Sequence, residues 1–175
     1  LVFFLALLCS TSLVAQFSYN ENGSGIETPY TTASGAAAFA MGNGATASSN
    51  YSTAMGNGTT ASGGASTAMG YGTTASGDAS TAMGDYTTAS GYASTASGQG
   101  TTASGNYSTA LGINTTATKQ GSFAVGADTV ADGLESSALG RGSIASGNYS
   151  TAMGLQTTAI GDYSTAIGKG TKASG

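Results

Sequence analysis

A chain of 175 residues has room for one ordinary domain, yet only 7% of its residues are charged and none is His or Trp, a composition unlike that of a typical globular enzyme. Leu, Ile, Val and Phe are scarce beyond the first seventeen residues and Ala is the commonest apolar residue there, which excludes a thick, jigsaw-packed core. The net charge of −4, with only four scattered Lys and Arg, excludes a nucleic-acid partner, because phosphate binding needs clustered cations.

The chain opens with LVFFLALLCSTSLVAQ, an apolar run that closes in small residues before a polar stretch. This pattern predicts a secretory signal peptide over residues 1–16, whose start lies upstream because the first residue is Leu. About eight strongly apolar residues are too few to span a bilayer. Cys9 follows Leu8 rather than a small residue, which argues against a lipoprotein anchor, and cleavage near Ala15 or Gln16 leaves a mature chain without cysteine. Disulfides and thiolate chemistry are then excluded. Residues 17–30 read as a linker.

From there the sequence repeats. Stepping by seven from Ala33 to Ala173, all 21 positions are Ala; two residues further on, 19 of 21 are Gly, with Ser49 and Lys119 the exceptions. Between Ala and Gly, one set of positions reads Met41, Met55, Met69, Met83, Ser97, Leu111, Val125, Leu139, Met153 and Ile167, while the alternate set is almost entirely Ser and Thr. The true period is therefore fourteen, and residues 36–175 hold ten whole periods without insertion or deletion. One Gly in seven and no second apolar stripe exclude a coiled coil, and a single proline with no Gly-x-y period excludes collagen. Thr and Tyr favour extended chain and Gly marks a turn every seven residues, which predicts an all-β fold, a β-solenoid with two short strands of about five residues in each coil.

Alternation along a strand assigns faces. If Ala54 and Ala61 point inward, the coil interior is narrow enough for methyl groups alone. One outer face then carries the apolar column Met41, Met55, Met69, Met83, Leu111, Val125, Leu139, Met153 and Ile167, reinforced by Phe39 and Phe123. That strip is too long and regular for scattered surface apolarity, so it implies a partner surface. Nine such side chains, at roughly 1.5 to 3 kcal/mol each when fully buried, contribute on the order of 15 to 25 kcal/mol per chain as an upper bound. The other outer face carries a lattice of Thr60, Ser62, Thr74, Ser76, Thr88, Ser90, Thr102 and Ser104, the candidate ligand face. It also admits an alternative function, an ice-binding solenoid with a Thr-x-Ser array, although Val130, Ile144 and Lys172 break the Thr column.

Nothing in the pattern supports catalysis, which needs a base and a nucleophile gathered in a pocket. There is no His, and Asp78, Asp85, Asp128, Asp132, Glu135 and Asp162 fall mostly in or beside turns as solvated loop polarity. They do not recur coil after coil, so no metal ladder and no cofactor site is expected. Six N-x-S/T sequons, among them Asn50, Asn106 and Asn148, read as chance matches in so Asn- and Ser-rich a chain.

The blocks of the form S-T-A-M-G-x-G-T-T-A-S-G over residues 31–175 resemble the YadA-like head repeats of trimeric autotransporter adhesins. Thr53, Thr67, Thr81, Thr95, Thr109, Thr151 and Thr165 stand where that motif usually has Val, which makes the seam more polar. The resemblance implies a left-handed parallel β-roll and a homotrimer whose seam is the apolar column. It implies the head of a surface fibre of a Gram-negative bacterium, secreted and held at the outer membrane, that binds extracellular matrix, host cells or other bacteria. Anchoring to the membrane is expected only through segments outside this sequence.

Overall fold

The computed structural model describes residues 18–19, 26–27 and 30–175; the signal-peptide reading of residues 1–16 lies outside the described residues. From Thr32 onward the chain turns every seven residues, and each fourteen-residue coil holds one long and one short strand. The long strands, such as Thr53–Asn57, Thr67–Tyr71 and Thr81–Asp85, are built from the S-T-A-M-G half of the repeat. The short ones, such as Thr60–Ala61 and Thr74–Ala75, come from the T-T-A-S-G half. These span two residues rather than the expected five, because the chain begins its next corner directly after Ser62 and the Gly63 N–H already reaches the Ala75 carbonyl at 3.3 Å.

Long strands stack parallel in one sheet and short strands in a second. From Phe39 onward the register advances by fourteen at every step, so that Ala82 lies opposite both Ala68 and Ala96, and Met83 opposite Met69 and Ser97. The β-solenoid read from the sequence is therefore the fold, ten coils that stack at about 4.8 Å each into a rod on the order of 50 Å long. At its N-terminal end Ile26 pairs in parallel with Phe39, and Ser18–Tyr19 runs antiparallel to Ile26–Glu27.

Both Ala columns face inward, and from Ala40 to Ala159 they are fully buried. The expectation of an interior filled by methyl groups alone is corrected: a second inward column lies two residues before each Ala. It reads Ser52, Thr59, Ser66, Thr73, Ser80, Thr87 and onward, and these side chains are as buried as the alanines. The reason is parity. Residues 52 and 54 point inward and strict alternation through the corner would turn Thr60 inward too, but an odd repeat of seven forces one residue of slip per corner, which brings Thr59 and Ala61 inside.

The two glycine columns meet different demands. Gly56 has φ +131°, and a Cβ there would lie 1.9 Å from the carbonyl oxygen of Gly70, so only glycine fits. Gly63 has no such φ; its Cβ would instead strike the Gly77 carbonyl oxygen at 2.1 Å. Both exceptions, Ser49 and Lys119, fall in this second column, where the backbone does not take a positive φ. At Lys119 the N–H turns to Ser122 Oγ at 3.2 Å and the Ser122 hydroxyl donates back to the Lys119 carbonyl at 2.7 Å. The Ser52 hydroxyl meets the Ser49 carbonyl in the same way at 2.6 Å. The strands on either side of Lys119 keep their register.

Candidate functional site

The solenoid presents two sheet faces and two corners, and each is set by residues at fixed places in the fourteen. On the long-strand face, parallel pairing aligns Met41 with Met55, Met55 with Met69 and Met69 with Met83. Further along, Leu111 meets Val125, Val125 meets Leu139, Leu139 meets Met153, and Met153 meets Ile167. All nine apolar residues of the expected seam thus share one face, flanked by the column of Thr53 and its equivalents and by Phe39 and Phe123. Met41 to Leu139 are half-buried by their neighbours in the stack, while Met153 is 41% and Ile167 61% exposed.

The short-strand face carries the polar lattice. Thr60, Thr74, Thr88 and Thr102 are aligned one coil apart and half-buried, with Ser62, Ser76, Ser90 and Ser104 exposed two residues along. Val130 and Ile144 continue the Thr column in register and leave Ile144 exposed, so the regular lattice ends where these two residues begin.

The corners hold the polar and aromatic residues that periodicity alone did not single out. At the corner after each short strand, the second turn residue adopts a left-handed conformation: Tyr51, Ala65, Ala79, Ala93, Tyr107, Glu135, Tyr149 and Tyr163 all have φ between +48° and +59°. The residue before it caps the coil beneath. Asn50 Oδ1 accepts from the Ala36 N–H at 3.0 Å, Asp78 Oδ1 from Gly64 at 2.7 Å, Asn106 Oδ1 from Tyr92 at 3.0 Å, and Asn148 Oδ1 from Leu134 at 3.0 Å. Three of the sequon asparagines are therefore coil-to-coil caps, and Asp78 and Asp162 do the same work rather than serving as free loop charges. Asp85 accepts from Gln99, Asp128 from Asn114 and Asp132 from the Thr118 hydroxyl, each one coil apart.

All eight tyrosines from Tyr30 onward lie at the corners and are exposed. Three pairs touch: Tyr71 with Tyr86 edge to face at 5.2 Å, Tyr92 with Tyr107 edge to face at 5.4 Å, and Tyr149 with Tyr163 stacked at 5.1 Å with their planes 5° apart. Hydrogen bonding and the adjacent charge of Tyr71 hold the Tyr86 phenol above its ordinary value. The signal for these corners was present in G-N-Y-S at 105–108 and 147–150 and G-D-Y-S at 161–164, but only the turn geometry shows which way the rings project. Among the described residues no group of three or more His, Cys, Asp or Glu could hold a metal ion, and no helix is long and apolar enough to cross a membrane.

An in-register parallel solenoid with an interior of Ala, Ser and Thr, an apolar column on one sheet and a Thr and Ser lattice on the other defines a repeat protein built to present surface. The YadA head domain repeat matches residues 33–59, 61–87, 84–108, 103–129, 131–157 and 159–175, and the chain belongs to this family. It is the head family of the trimeric autotransporter adhesins, surface-exposed proteins of Gram-negative bacteria whose heads assemble as trimers and bind surface ligands. The family and the fold are typically non-enzymatic. No curated protein sequence matches the chain.

Proposed function

We propose that the chain is the head of a secreted, outer-membrane-held adhesin, and that three copies pack through the column Met41, Met55, Met69, Met83, Leu111, Val125, Leu139, Met153 and Ile167. The head then attaches multivalently to extracellular matrix, host-cell or bacterial surfaces. The observation that carries this reading is the apolar column itself, in register from Met41 to Ile167 and interrupted only by Ser97. An isolated coil orders fourteen residues, at roughly 1.5 kcal/mol each, while burying mainly Ala, Ser and Thr. Burying the column against identical columns supplies the missing free energy, and identical faces close most simply by rotational symmetry.

Sedimentation equilibrium on a chain starting near Phe17 tests it. The wild type sediments as a trimer. Replacing Met55, Met69 and Met83 by Asp desolvates like charges across the axis at several kcal/mol per buried ion, and the variant dissociates. Replacing Thr60, Thr74 and Thr88 by Asp leaves assembly intact and alters surface binding. A wild-type chain that is monomeric and stably folded at micromolar concentration overturns the reading. The in-register Thr60 to Ser104 lattice favours a second reading, an ice-binding face, which an ice recrystallisation assay separates from the first.

A further inference from the structure

We propose that Met41, Met55, Met69 and Met83 are a modification site for peroxide oxidants, and that their conversion to sulfoxides opens the N-terminal half of the seam while the C-terminal half stays closed. The proposal deepens the trimer reading and rests on it, because the effect falls on that interface.

The distribution of oxidisable groups points to this column. All five methionines of the chain lie in it, and the chain has no His or Trp and no Cys beyond Cys9. Past that point, thioethers are therefore the groups that a two-electron oxidant finds. Four of them stand in consecutive coils, with Met41 opposite Met55, Met55 opposite Met69 and Met69 opposite Met83. Beyond Met83 the column changes chemistry. Ser97 comes next, and then Leu111, Val125 and Leu139 in register, hydrocarbon side chains that peroxide does not attack. Met153 is the one thioether of this second half, a single layer between Leu139 and Ile167.

Placement on the strand makes the sulfurs reachable and the change selective. In Thr53–Asn57, Ala54 is fully buried inside the coil, while Met55 stands on the outer face and is only half-buried. Met69 beside Ala68 and Met83 beside Ala82 repeat this arrangement. An oxygen added at these sulfurs points away from the Ala, Ser and Thr interior, so the coil keeps its packing and its register.

The chemistry is oxygen transfer. The sulfur lone pair attacks one peroxide oxygen, an S–O bond forms as the O–O bond breaks, and the departing hydroxide takes up a proton to leave as water. Sulfur loses two electrons and hydrogen peroxide gains them. A flexible apolar side chain thus becomes a polar one that resists burial against an identical apolar column. Four such layers in a row remove the apolar contact of the first half of the seam. Ser97 already interrupts the column there, so the Leu and Val layers beyond it do not hold the first half shut. Reduction of the sulfoxides restores the thioethers and closes the seam again.

The test treats the full native chain with hydrogen peroxide, removes the excess with catalase, and compares it with untreated chain by mass spectrometry, sedimentation and amide hydrogen exchange. Each of Met41, Met55, Met69 and Met83 should gain about 16 Da. Protection in the strands Phe39–Met41, Thr53–Asn57, Thr67–Tyr71 and Thr81–Asp85 should then fall by about tenfold or more. Protection in Thr109–Ile113, Phe123–Ala127 and Ser137–Arg141 should hold, and the treated chain should still sediment as a trimer. Replacing the four methionines by Leu, which conserves volume, should make the chain indifferent to peroxide. Replacing them by Gln should open the same half with no oxidant present. Leu111→Met with Leu139→Met should extend the peroxide effect to the C-terminal half and dissociate the trimer. Failure of the four methionines to gain oxygen, full protection with all four oxidised, equal loss along the whole rod, or the same loss in the Leu variant overturns the proposal. An untreated chain that is a stably folded monomer overturns the trimer reading itself, whereas an untreated trimer that keeps its N-terminal protection after oxidation overturns this proposal alone.

Discussion

At the scale of single residues, the interior of the coil is the most demanding environment in the molecule. Ala82 and Ala103 are fully buried between stacked neighbours, so Ala82→Leu or Ala103→Leu overpacks a space with nowhere to relax, at about 1 to 3 kcal/mol or more. Thr88→Ser on the short-strand face should change the thermal midpoint little, and equal tolerance at these positions would contradict the face assignment. The inward hydroxyls give a sharper expectation. Thr59, Thr73, Thr87, Thr101, Thr115 and Thr129 are buried with no hydrogen-bond partner for Oγ1, whereas Thr157 Oγ1 does find Ser143 Oγ, at 2.9 Å. Because an unsatisfied buried polar group costs about 1 to 3 kcal/mol, Thr87→Val should stabilise the chain by on the order of 1 kcal/mol. Urea unfolding checks the sign, and the same change at Thr157, which breaks a formed bond, should not stabilise.

At the scale of the element, the corners rather than the strands decide what the chain tolerates. Gly84, at φ +119°, would place a Cβ 2.0 Å from the Gly98 carbonyl oxygen, while Gly58, at φ +64°, would place one in open space with its nearest neighbour 4.0 Å away. Gly58→Ala should therefore cost only the left-handed penalty of about 1 to 2 kcal/mol. Gly84→Ala adds a backbone clash and should cost several times more, enough to disturb the sheet locally, which amide hydrogen exchange in the strands Thr81–Asp85 and Thr95–Gln99 would report. The left-handed Ala79, with φ +56°, is the converse case. There Ala79→Gly removes the same penalty against a glycine entropy cost of roughly 0.5 to 1 kcal/mol, so the variant should be unchanged or slightly more stable.

At the scale of the whole molecule, stability should be close to a sum over coils and the interfaces between them. Deleting residues 73–86 removes one complete coil and joins Gly72 to Thr87, which restores the G-T-T-A-S-G pattern. That variant should fold with unchanged spectra and a slightly lower unfolding enthalpy. Deleting residues 73–79 removes only half a coil, so two long-strand halves follow one another and the two sheets exchange partners from that point on. Circular dichroism should then show loss of β structure in the downstream coils. If both deletions fold equally well, the alternation of two unlike half-coils is not what holds the rod together.

Much of this architecture is legible in one dimension. A period of fourteen with Ala every seven and apolar residues at alternate half-steps is enough to dictate parallel, in-register coils. It also dictates that Met55 and its equivalents share one face, because strand alternation is local and the repeat copies it coil after coil. The corners are not legible in the same way. Whether Thr59 or Thr60 turns inward depends on where each odd-numbered half-coil takes its one-residue slip, and that is set by the left-handed dihedrals on either side of the strand. The two glycine columns look alike as letters, yet Gly56 answers a positive φ and Gly63 a close approach by Gly77, which is why only the second column admits Ser49 and Lys119. Likewise G-N-Y-S and G-D-Y-S show Tyr beside Asn or Asp. Only the stacking of successive turns places the Tyr149 and Tyr163 rings against each other and aims Asn148 and Asp162 at the backbone below, because contacts between residues fourteen apart arise from the rise of the coil and not from neighbours in the chain.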